Sequence, residues 1–289
     1  MDTLQAIERR LSSVHDLHSI VRTMKALAAV NIAQFEKAAR SVDEYAETVE
    51  LALMAVLRRP DGRVAARPSR PGPLGGVVFG SDQGMCGQLN EDLTGLVLET
   101  LARESDRPSS LLVVGERAAD RLRDMDLDIG HVFRVPTGVG GFLPLVQRLS
   151  VELQAWTEFL GLEEIRLFHP VPVGQASSHP TTTRLLPLDD QWLKTLQARP
   201  WPGRSLPLCT MSQGNLFSSL VREYMFVGLY RALAQSLASE NAMRLAAMQG
   251  AERNIRERLE ALTRDFHTTR QAGITEELLD IVAGFESLA

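Results

Sequence analysis

The placement of proline constrains this chain more than any single motif in it. All 14 prolines lie between Pro60 and Pro207 of the 289 residues, and no glycine precedes Gly62. Proline in a helix interior costs about 3 kcal/mol and glycine about 1 kcal/mol. Both ends therefore read as long helices, and the middle as a turn-rich domain. The expected partition is an N-terminal coiled-coil helix over 1–59, a central α/β domain over 60–207 and a C-terminal coiled-coil helix over 208–289.

The N-terminal segment repeats an apolar residue every seven positions: Ile7, Val14, Val21, Ala28, Phe35, Val42, Val49 and Val56. A second series runs beside it: Leu4, Leu11, Leu17, Met24, Ile32, Ala39, Ala46 and Leu53. Together they make a sustained a/d seam, the signature of a coiled coil rather than of a drifting 3.6-residue surface helix. Asp2 or Thr3 suits the N-cap, and Arg58, Arg59 and Pro60 suit the stop. The C-terminal segment keeps similar spacing through Leu245, Met248, Ile255, Leu259, Leu262, Phe266, Ile274, Leu278, Ile281 and Phe285. Gly228, Gly250 and Gly273 weaken that helix locally.

Helices of these lengths would extend roughly 85 Å and up to about 120 Å. A compact globule of this size is only about 50 Å across. Each helix needs an apolar partner, and the other terminal helix, packed antiparallel, is the nearest. The expectation is a rod attached to a globule.

Within the middle, strands are expected at Leu74–Phe79, Ser110–Val114, His131–Val135, Glu164–Val171 and Thr181–Pro187. Helices are expected at Leu89–Ala102, Arg117–Arg123 and Leu143–Leu160. The alternation suggests a parallel, Rossmann-like sheet. Leu188–Leu208 reads as an irregular connection.

A net charge of −5 gives no general basic field for nucleic acid. The chain starts without an apolar signal region, and no apolar run reaches the roughly 18 residues of a membrane span. Cys86 and Cys209 do not form a disulfide framework or a CxxC pair.

Motifs for chemistry are sparse. The loop Gly80–Gly87 has the strand–loop–helix placement of a phosphate site, but it lacks GxxxxGK[ST] and any nearby lysine. A tight turn packing a helix onto its strand is the favoured reading. His15 and His18 lie one turn apart, which alone is a weak metal pair, and a solvated face is favoured. Cys86 has no neighbouring histidine to activate it and reads as a packed residue. Ser177-Ser178-His179 has no nucleophile elbow. No catalytic, cofactor or metal site is expected. Arg270-Gln271 combines a planar donor fork with an amide, suited to gripping a partner loop, although spacing alone favours a solvated helix face.

Four blocks, in order along the chain, resemble the γ subunit of F-type ATP synthases. They are Ile7–Ala29 followed by Tyr45-Ala46-Glu47-Thr48, then SDQGMCGQLN at Ser81–Asn90, LASENAMRLAAM at Leu237–Met248, and TRQAGITEELLDIVAG at Thr269–Gly284. The last is the most specific. Gln83, Gln88, Gln249 and Asp280 depart from the family's usual residues, which suggests a divergent or secondary copy, with an alternative sodium-linked ATPase as one such setting.

The resemblance implies a non-catalytic central rotor shaft that couples ion flow to ATP synthesis or hydrolysis. It implies α and β subunits of the catalytic ring as partners, with the ε subunit and the membrane c-ring near the globular domain. It places the chain peripherally on the cytoplasmic face of a bacterial inner membrane, with no membrane insertion of its own. Arg270 and Gln271 match a pair that meets a β-subunit loop. Thr275 and Glu277 match further β-subunit contacts, and Met24 matches one on the N-terminal helix. The rival readings are a nucleotide- or metabolite-binding α/β enzyme with a helical dimerisation arm, and a coiled-coil adaptor without a motor role.

Overall fold

The computed structural model describes residues 4–58, 72–104, 107–174, 177–205 and 207–286. The proposed caps Asp2 and Thr3, the stop at Arg59-Pro60 and the side chain of Phe285 lie outside the described residues. The chain divides into two compact units, one of Ala29–Arg244 and one formed by Met1–Ala28 with Leu245–Ala289. Two helices contribute to both, α1 (Leu4–Leu57) and α6 (Gln213–Glu286).

The larger unit is built on β1 (Leu74–Phe79), β2 (Ser109–Val114), β3 (Ile129–Phe133), β4 (Glu164–Val173) and β5 (Ser177–Leu186). They form one sheet in the order β3-β2-β1-β4-β5. The pairs among β1, β2, β3 and β4 are parallel, which requires crossovers. These contain α2 (Leu89–Ala102), α3 (Glu116–Asp124) and α4 (Phe142–Phe159).

The expected all-parallel sheet is corrected at its edge, where β5 pairs antiparallel with β4. Only three residues separate the two strands, too few for a crossover. Both strands are longer than the sequence suggests, because Pro172 and Pro180 read as loop. Pro170 in fact sits opposite Pro180. The end of this ribbon runs past β1, whose pairing with β4 stops at Phe168. Proline is tolerated on such an edge because no further ladder needs its missing N–H.

Each face of the sheet has its own core. Leu74, Val78, Leu111 and Val113 pack with α2 and α3 around Leu93, Val97 and Leu122. On the other face Val77, Phe79, Leu112 and Leu167 meet α1, α4 and α6. Phe142 stacks on Phe35 at 5.6 Å and meets Tyr230 edge-on at 5.4 Å, tying α4 to both long helices. Gly228 permits the approach of α6 to the sheet, because a Cβ there would lie 2.5 Å from Leu185 Cδ1.

The stretch expected to be irregular contains a helix, α5 (Asp190–Ala198). Asp189 caps it, its Oδ1 accepting from Gln191 N at 2.9 Å. Trp192 and buried Leu196 face α1 and the start of α6, with Trp192 5.2 Å from Tyr224.

In the smaller unit α1 and α6 pair antiparallel. Arg9, Arg10, Ser13 and Val14 line a cleft with Arg258 and Leu262, and Lys25 meets Glu252. Ile7, Ala28, Met248 and Leu262 are buried. The second seam series is corrected here: Leu17 is 51% exposed. The strict heptad continues instead through His18 and Lys25, both half-buried. Lys25 Nζ donates to Glu252 Oε2, and His18 Nε2 lies 3.8 Å from the other oxygen. The sequence pattern slipped because these heptad positions are polar.

Candidate interaction surfaces

The Gly80–Gly87 loop follows β1 at the point where strand order reverses, between β1 and β4. That is where open α/β sheets commonly receive a ligand. Here α6 occupies the position. Ser236 Oγ donates to Phe79 O at 2.9 Å, consuming the carbonyl at the end of β1. Arg244 Nη2 bonds Glu240 Oε1 at 2.6 Å and reaches Gly84 O at 3.5 Å. Burial pushes the Glu240 carboxyl above its usual range, and Arg244 opposes that rise.

The loop is also internally tied. Asn90 Oδ1 accepts from Ser81 N at 3.2 Å, while its Nδ2 donates to Ser81 Oγ at 2.8 Å. Asp82 accepts from the Glu116 and Val135 N–H groups, both at 2.9 Å, joining α3 and the exit of β3. Gly115 adopts φ +109°, and a Cβ there would lie 2.7 Å from Ser81 N. Burial raises the Cys86 thiol pKa, so this cysteine is held as a neutral packed group. The loop thus acts as a dock for α6, the turn-and-packing reading favoured on sequence. Its match to α6 side chains went unread because 81–90 and 236–244 are far apart in sequence.

The polar residues singled out on sequence lie in the smaller unit. Continuing the antiparallel pairing of Val14 with Leu262, the first described residue of α1 reaches the level of about residue 272, by straight helix geometry. Beyond that level α6 has no seam partner among the described residues. Its apolar positions nevertheless continue. Ile274, Leu278, Ile281 and Val282 are 48%, 57%, 56% and 53% exposed.

Thr275 and Glu277 share this stretch, Arg270 and Gln271 lie at the level where it begins, and all four are exposed. Arg270 and Glu277 recur with Ile274 and Ile281 at four- and three-residue steps. Gln271 and Thr275 do so with Leu278 and Val282, so the two rows are adjacent. Thr275 Oγ1 donates to Gln271 O at 2.9 Å, which fixes its hydroxyl on the helix. Met24 is not brought to this group. It is half-buried beside Lys25, near the level of Glu252, about 27 Å from Arg270 along the helix. Leu17, Ile20 and Leu27, exposed by 51%, 55% and 59%, make a stripe with it outside the seam. Among the described residues no group of three His, Cys, Asp or Glu side chains has metal-binding geometry. His15 is exposed, and His18 faces Glu252.

A family model described as ATP synthase matches residues 3–288. The chain belongs to the ATP synthase γ family. It is 29% identical to the ATP synthase gamma chain of Moorella thermoacetica, over all of both chains. It is 28% identical to that of Nitratidesulfovibrio vulgaris, over 100% of this chain and 99% of the relative. A chain of the Euglena gracilis mitochondrial ATP synthase (OSCP/F1/c-ring) shares the fold with a TM-score of 0.67 at 16% identity, covering 99% of this chain and 94% of that one. A chain of the Tetrahymena thermophila mitochondrial ATP synthase central stalk/c-ring gives 0.60 at 21% identity, covering 80% and 99%.

Membership of the γ family assigns this chain the central rotor shaft, a role without a catalytic site of its own. The α6-filled crevice agrees with that role. The apolar face of α6 past the start of α1 is the feature that sequence reasoning assigned to the seam and the structure leaves uncovered.

Proposed function

We propose that this chain serves as the shaft of a membrane ATPase by presenting the uncovered end of α6, and the α1 stripe around Met24, to a ring of α and β subunits. The exposure of Ile274, Leu278, Ile281 and Val282 carries the reading. A contiguous exposed apolar face marks an interaction site, and one ringed by Arg270, Gln271, Thr275 and Glu277 offers directional contacts at its rim. In this reading Arg270 and Gln271 grip a β-subunit loop, and Thr275, Glu277 and Met24 add contacts.

The shaft works on the ring through differential affinity: a β subunit changes state only if the contacts differ between its open and closed forms. Ion flow supplies about 2.3 kcal/mol per charge per 100 mV. The coupling ion, proton or sodium, is set in the membrane ring. The central α/β domain, taken as 60–207 between helices 1–59 and 208–289, meets the ε subunit and c-ring. The chain is held peripherally at the cytoplasmic face of a bacterial inner membrane. No helix of the described residues is long and apolar enough to cross a membrane.

The test is to express the chain with its α and β subunits and purify through it. A complex whose ATP turnover drives ion transport only when this chain is present supports the reading. A chain that assembles with neither subunit would overturn it. The isolated chain should bind no ATP in calorimetry up to millimolar nucleotide. Micromolar binding lost on changing Gly84 would favour the α/β enzyme instead.

A further inference from the structure

We infer that the groove between the end of β3 and the first turns of α4 docks an acidic segment of another protein chain. The inference rests on the shaft reading only in placing that chain within the assembled complex. The groove holds about 330 Å³ and lies wholly within the larger unit. Val132, Pro136, Pro144 and Leu145 give it an apolar floor, and Arg134 and Arg148 line it as well. Arg148 lies with its guanidinium carbon 5.1 Å from the centre of the Phe133 ring. Stacking of that kind engages a guanidinium through its face and leaves its N–H groups for an acceptor.

Neither arginine makes an ion pair or hydrogen bond among the described residues. Several other arginines of the unit are engaged, although the side chains of Arg117, Arg184 and Arg204 likewise make no ion pair or hydrogen bond among the described residues. Arg107 and Arg166 are ringed by Glu104 and Glu164, and Arg231 holds Asp43 at 2.7 Å. Two unengaged guanidiniums over an apolar floor, in a chain of net charge −5, form a local site rather than part of a general basic field. Beside it α4 exposes Leu143 by 50% and Val151 by 68%. Carboxylates flanked by aliphatic side chains complement such a surface: the fork of arginine matches carboxylate geometry, and the floor takes the apolar neighbours. An anionic membrane surface is the poorer fit, since its recognition rests on clusters of about 4–8 basic residues.

The experiment places a photoreactive benzoylphenylalanine at Leu143 in the complex purified through this chain. The expected result is an adduct with one partner chain, mapping to a segment that contains Asp or Glu. Arg134→Glu with Arg148→Glu should lower its yield about tenfold or more, since like charges set against each other across an interface repel strongly. Arg134→Lys with Arg148→Lys, which keeps the charge, should lower it far less. Circular dichroism melts of the free variants check that folding is unchanged. If the charge-reversed chain melts early, Arg134→Gln alone replaces it, with a smaller loss of yield expected. Absence of a protein adduct, an adduct only with lipid, an adduct in a segment without carboxylates, or a yield indifferent to charge would overturn the inference. Loss of the α and β subunits from the purified chain would instead remove the shaft reading.

Discussion

Glu240 and Arg244 are almost fully buried, at 5% and 9% exposure, and each is the other's charged partner. Removing one partner of such a pair leaves a charge without compensation in a poorly solvated place. Arg244→Ala is expected to cost about 3–5 kcal/mol by urea denaturation. The paired change Glu240→Gln with Arg244→Met should cost much less, because no buried charge is stranded. His169 is a different case. It is buried, its Nε2 lies 3.3 Å from Thr183 Oγ1, and its Nδ1 has no partner. Burial lowers its pKa from 6.5 to about 4. The unfolded chain therefore takes up this proton at higher pH than the folded one. The stabilisation is full above pH 6.5 and is lost as pH falls towards 4, by up to about 3 kcal/mol. His169→Gln should flatten that part of the profile, measured as urea midpoints at pH 7 and pH 4.5. None of these buried polar groups could be placed from sequence, because what fixes each is a neighbour from another element.

At the scale of elements, the strands were legible wherever apolar runs ended at Gly or Ser, as in β1 and β2. The α2 boundaries, Leu89 and Ala102, match the sequence reading, since its apolar spacing follows directly after the loop. α5 was not read because Pro187 and Pro200 frame it closely. Its own signal, the Asp189 cap before Trp192, Leu193 and Leu196, is only nine residues long. The seam was legible in its first series, since Ile7, Ala28, Phe35, Val42, Val49 and Val56 are all buried. The second series failed where charge replaces aliphatic carbon, at His18 and Lys25. A seam of this kind still predicts its own pairing. Cysteines at Ile7 and at Phe266 or its neighbours should join within one chain on mild oxidation, because the pairing of Val14 with Leu262 brings Ile7 to about residue 269, within one turn of Phe266. Non-reducing gels should show a monomer of shifted mobility. Exclusively dimeric products across the scan would mean that α1 and α6 find these partners between chains.

For the molecule as a whole, the distinction that matters is between residues that keep the fold and residues that transmit force. Arg270 and Gln271 lie on an exposed part of α6, at the level where the described part of α1 begins, so their removal takes little from folding. Exposed helical substitutions change stability by about 0.5 kcal/mol or less, and alanine is the best helix former. A charge-assisted bond to a partner is worth roughly 1.5–3 kcal/mol, and only the assembled complex contains it. Arg270→Ala with Gln271→Ala should therefore leave the melt of the isolated chain and its assembly with α and β subunits nearly unchanged. Turnover of the complex, or its coupling to ion transport, should fall by about tenfold or more, since each 1.4 kcal/mol in a transition state is a factor of ten. Measuring melt, assembly and coupled turnover on the same preparation separates the outcomes. Full coupled turnover would show that the pair transmits nothing. Loss of the folded chain would make it structural, against the exposure on which the argument stands. A selective loss of turnover would place the working contact on α6 at the level of the start of α1, where the apolar pattern begins to run on without a helix to cover it.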